Sequence, residues 1–94
     1  MTSVQKDLVG AYTEYSCGIS PEAQSVFDKA LGGKLGVSYS PFAVATQIVS
    51  GTNYSFLCNS KTTYPGAINE LAIVTVYKPL DADPQITEIR RFKS

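Results

Sequence analysis

The sequence predicts an α+β domain: one α-helix packed on one face of a five-stranded antiparallel β-sheet, in the order β-α-β-β-β-β. Three observations carry this. Behind Ser20-Pro21 the apolar residues Ala23, Val26, Phe27, Ala30 and Leu31 recur at helical spacing. Residues 42–59 alternate with a period of two on both sides of Gly51, the pattern of two strands folded back on each other. The run Leu71-Ala72-Ile73-Val74-Thr75-Val76-Tyr77 is near-continuously apolar and β-branched, which suggests a central strand.

Taken in order, residues 1–7 are polar and predict a flexible segment before a single domain that spans residues 1–94. They lack the apolar core of a signal peptide, which points to the cytoplasm, as would a secreted chain whose signal had been removed. Leu8-Val9-Gly10 follows, two apolar residues before a glycine; Leu8 and Val9 either begin the first strand or stand exposed ahead of it. Residues 11–16, with Tyr12 and Tyr15, predict an edge strand. In the helix, Ser20 is a good N-cap, Pro21 suits the first helical position and Glu22 favours the positive end of the dipole. Gly32-Gly33 predicts a left-handed stop. A rod of about 17 Å crosses three or four strands at about 4.8 Å spacing, so its stripe belongs to the core.

Residues 34–41 read as an irregular connection, with Val37 and Tyr39 candidates for an extended start. In the hairpin, Phe42, Val44, Thr46 and Ile48 alternate with Ala43, Ala45, Gln47 and Val49. Beyond the turn, Thr52, Tyr54, Phe56 and Cys58 share one face, and Asn53, Ser55, Leu57 and Asn59 the other. Residues 61–69 form a longer loop that holds Tyr64 and the turn dipeptide Pro65-Gly66. Residues 78–84 turn between Pro79 and Pro84, and residues 86–92 close the sheet with Glu88, Arg90 and Arg91 blunting an exposed edge.

Composition excludes several functions. Eight basic and eight acidic residues give a formal charge of zero, so nothing asks for nucleic acid or an anionic membrane surface. No apolar run approaches the roughly 18 residues of a membrane helix. The absence of histidine removes Cys-His and Ser-His pairs and histidine metal sites. Cys17 and Cys58 have no metal-ligand spacing and are either two free thiols or a single bridge. Gly32, Gly33 and Gly36 miss the spacings that cradle a phosphate. The chain does not read as an enzyme, and no catalytic residue, metal or cofactor is expected.

The string Gln47-x-Val49-x-Gly51, running into Thr52-Asn53-Tyr54-x-Phe56, resembles the first inhibitory hairpin of the cystatins, reversible inhibitors of papain-like cysteine proteases. The resemblance covers residues 8–92 and implies a cystatin-like fold. It also implies a competitive, non-covalent inhibitor that places three segments in the protease cleft. These are the hairpin Gln47-Ile48-Val49-Ser50-Gly51, a trunk formed by Leu8, Val9 and Gly10, and a second turn at Pro79-Leu80-Asp81. That turn departs from the Pro-Trp of many cystatins, since the chain has no tryptophan. Leu80 matches the leucine of stefin-like members, whose following proline is Asp81 here. The implied species is a monomer, with a domain-swapped dimer if the hairpin opens and exchanges strands. The alternative is a non-inhibitory binding module on the same scaffold.

Overall fold

A computed structural model describes residues 11–32, 37–62, 66 and 68–92. The helix α1 (Pro21–Leu31) is followed by β1 (Val37–Val49), β2 (Gly51–Thr62), β3 (Glu70–Lys78) and β4 (Gln85–Phe92). All strands pair antiparallel with their sequence neighbours, in the order β1-β2-β3-β4. One helix thus packs on one face of an antiparallel meander, the architecture expected, but among the described residues the sheet has four strands instead of five.

The missing strand is residues 11–16. This segment does lie along the outer edge of β1, and Ser16 and Val44 exchange both backbone hydrogen bonds at 2.9 Å. The ladder stops there. Thr13 N–H donates to the Thr46 carbonyl, but Thr46 N–H donates to the Thr13 hydroxyl at 3.0 Å, where a continuing strand would offer a carbonyl. A threonine side chain competing with the backbone converts the strand into a strap. Tyr15 ties the strap down, its hydroxyl 2.6 Å from that of Ser55 on β2.

Helix capping follows the sequence at one end only. The Ser20 hydroxyl accepts from Ala23 N–H at 3.1 Å, with Pro21 in the first turn. Gly32, however, has φ −48° and ψ 129°, an extended exit in place of the left-handed stop; Gly33 lies outside the described residues. On the sheet, β1 begins at Val37 and runs through Pro41, so the connection is shorter and more regular than expected. A β-bulge at Phe42 makes this possible: the register shifts by one between Pro41 and Ala43, leaving Phe42 unpaired and exposed.

The registers line up the core in rows. Thr46, Tyr54 and Val76 form one row, Val44, Phe56 and Val74 the next, and Pro41, Cys58 and Ala72 the third. Against these rows α1 buries Ala23, Val26 and Phe27. The Phe27 ring meets Phe56 edge-on, with centroids 4.9 Å apart, and Tyr54 stacks on Phe56 at 5.8 Å. Such pairs contribute about 0.5–1.5 kcal/mol beyond their area. Cys17 is exposed and Cys58 buried, and both are free thiols, so there is no bridge between them.

Candidate functional site

The β1–β2 ladder continues until Val49 faces Gly51, so the chain reverses on Ser50 alone. So tight a reversal requires unusual backbone, and Gly51 supplies it with φ +107°. The same glycine allows a second close approach. A Cβ there would lie 2.5 Å from the Lys78 carbonyl and 3.1 Å from Pro79 Cα. The first hairpin therefore leans against the start of the second turn, and only a residue without a side chain lets it.

Two polar contacts hold the tip. The Asn53 amide donates to Gln47 Oε1 at 2.7 Å, across a directly opposed pair. The Tyr77 hydroxyl, from the strand beyond, donates to the Ser50 carbonyl. Gln47, Asn53 and Tyr77 occupy one row on the face away from α1. The second turn has its own clasp, with the Lys78 ammonium donating to the Pro79 carbonyl at 2.8 Å. Asn53 was legible only as part of the motif, and Tyr77 was hidden at the end of an apolar run. A hydroxyl placed just before a turn is the signal that could have marked it.

The structure thus places Gln47, Ile48, Val49, Ser50 and Gly51 at the same end of the sheet as Pro79, Leu80 and Asp81, with Gly51 against Pro79. Apolar side chains project from both turns: Ile48 is 66% exposed, Val49 43% and Leu80 79%. Asp81 is also exposed and Pro79 half-buried. The trunk residues Leu8, Val9 and Gly10 lie outside the described residues, as does Tyr64. A cleft of about 380 Å³ opens on the helix side of this end, between Glu22, Val26 and Lys29 of α1 and Leu80 and Pro84 of the second turn. A smaller one of about 230 Å³ lies beside Phe27, Leu31 and Tyr39, also on the helix side. Neither is a polar pocket on the open sheet face.

Chemically, the tips of the two turns offer exposed apolar side chains and backbone. Among the described residues no three acidic or thiol side chains gather as a metal site. Cys58 is sealed in the core, and burial pushes its thiol up to about 12, far from a nucleophile's range. No helix among the described residues is long and apolar enough to cross a membrane. No family model matches this chain, and neither a curated protein nor a solved structure does.

Proposed function

We propose that the protein is a reversible, competitive inhibitor of papain-like cysteine proteases, acting as a stefin-like member of the cystatins on a cystatin-like fold. The observation that supports this reading is the approach of two turns at one end of the sheet, Gly51 against Lys78 and Pro79, with Val49 of the one and Leu80 of the other both exposed. An isolated domain gains nothing by exposing them. Burying either in a partner cleft contributes about 1.5–3 kcal/mol.

The contacts at the tip supply the second physical element. A hairpin held by Asn53–Gln47 and Tyr77–Ser50 loses little conformational freedom on docking, so more of its contact energy becomes affinity. The wedge covers the catalytic cysteine of the protease with hairpin backbone and offers it no correctly placed peptide bond. Inhibition of this kind is non-covalent. Leu8, Val9 and Gly10 would extend the contact as a trunk. Leu80 would stand where other cystatins place tryptophan, giving the second turn a smaller anchor.

The test is inhibition of papain by wild type, Val49→Asp, Leu80→Ala and Gly51→Trp, with folding checked by circular dichroism. Wild type is expected to inhibit competitively, and Leu80→Ala to weaken binding by about tenfold to a hundredfold. Val49→Asp is expected to weaken it at least as much while unfolding at the wild-type urea midpoint. Gly51→Trp is expected to abolish inhibition. A wild-type protein that leaves papain untouched at micromolar concentration overturns the reading in favour of a non-inhibitory binding module.

A further inference from the structure

The two edges of the sheet are not alike. The β1 edge is partly occupied by the strap, at Val44 and Thr46, through Ser16 and Thr13. Among the described residues nothing pairs with the outer edge of β4, and Gln85, Thr87, Glu88, Arg90, Arg91 and Phe92 are all exposed along it. A free edge presents unpaired N–H and C=O groups that accept another strand. The charges on β4 determine which strand it is.

We infer that β4 is a self-recognition edge, on which two copies of the chain pair antiparallel about a two-fold axis at Ile89. Such pairing is isologous, and keeping side chains on matching faces puts one residue on the axis. An axis at Glu88 sets that carboxylate against its own copy. An axis at Arg90 or Arg91 opposes two guanidinium groups. An axis at Thr87 leaves residues 90–92 unpaired. The axis at Ile89 instead sets Glu88 opposite Arg90 of the second copy, twice by symmetry, and the bulge at Thr87, where the β3–β4 register shifts, ends this short ladder before Ile86.

Within one chain Glu88 and Arg90 already share the face away from α1, their side chains 3.3 Å apart and more than half exposed. In the pair they form a four-charge cluster of alternating sign. The formal charge of zero adds no repulsion between copies. One strand edge is small beside a standard stable interface, so the dimer is weak and concentration-dependent. The charges that refuse an arbitrary strand thus select one partner in one register. This edge is separate from the turns of the inhibitory end, and the inference does not depend on them.

The experiment is sedimentation velocity on wild type, Glu88→Arg and Arg90→Glu across micromolar to millimolar concentration, with folding checked by circular dichroism. Wild type is expected to shift from monomer to dimer. Each single variant opposes like charges and is expected to raise the dissociation constant about tenfold or more. Mixing the two variants joins a doubly positive strand to a doubly negative one, and a heterodimer of about wild-type affinity is expected. A wild type that stays monomeric at millimolar concentration overturns the inference. So do variants that dimerise as well as wild type, as strand exchange through the first hairpin would allow, and a mixture that stays monomeric.

Discussion

Gly51 has two separate reasons to lack a side chain, and a comparison with Gly66 divides them. Both have positive φ, +107° and +85°, but a Cβ on Gly66 meets nothing within 4 Å whereas one on Gly51 runs into the Lys78 carbonyl. Gly66→Ala therefore carries only the left-handed backbone cost of about 1–2 kcal/mol. Gly51→Ala adds a clash with backbone and is expected to cost more than Gly66→Ala, by about 1–3 kcal/mol. Urea unfolding of the two variants measures the difference. Such a residue shows how far the site was legible. That residue 51 must be glycine is readable from the hairpin pattern. That it touches residues 78 and 79 is not, because the contact depends on the β2–β3 register, which brings positions far apart along the chain together. The Tyr77 hydroxyl bonded to Ser50 escaped notice for the same reason.

Elements were readable where one local signal dominates. The helix has a cap, a proline and a stripe that agree, and it forms over Pro21–Leu31. Ser20→Ala removes the acceptor of the Ala23 N–H and is expected to cost about 1 kcal/mol, seen as a lower thermal midpoint with the fold unchanged. β1 and β2 were readable by alternation, and β3 by its near-continuous apolar, β-branched run. Where two signals compete, the sequence alone was a poorer guide. Tyr12 and Tyr15 favour a strand at residues 11–16, but the Thr13 side chain takes the hydrogen bond of Thr46 that a strand needs. Pro41 argues for an irregular connection, yet the bulge at Phe42 absorbs it and β1 runs on. At the helix exit Gly32 permits a left-handed turn without requiring one.

At the scale of the whole molecule, the core fixes how stability responds to pH. Burial pushes the Cys58 thiol up from 9.0 to about 12, and burial followed by the Glu22 carboxylate raises the Tyr54 phenol above 10.0. Both groups keep their protons in the fold at pH values where the unfolded chain releases them. The stability they contribute is fully present below pH 9 and falls as pH rises towards 12. The urea midpoint is expected to drop between neutral and strongly alkaline pH, and Cys58→Ala to flatten that drop. The asymmetry of the sheet has a different consequence. A sheet with two open edges, once it accepts a copy of itself, exposes a fresh edge and has no reason to stop, which is how fibres begin. Here the strap obstructs the outer edge of β1 at Val44 and Thr46, so two chains joined through β4 as inferred would meet solvent with margins blocked at those positions. In such a pair Thr13 and Ser16, far from the join, would hinder further growth of an assembly they never touch.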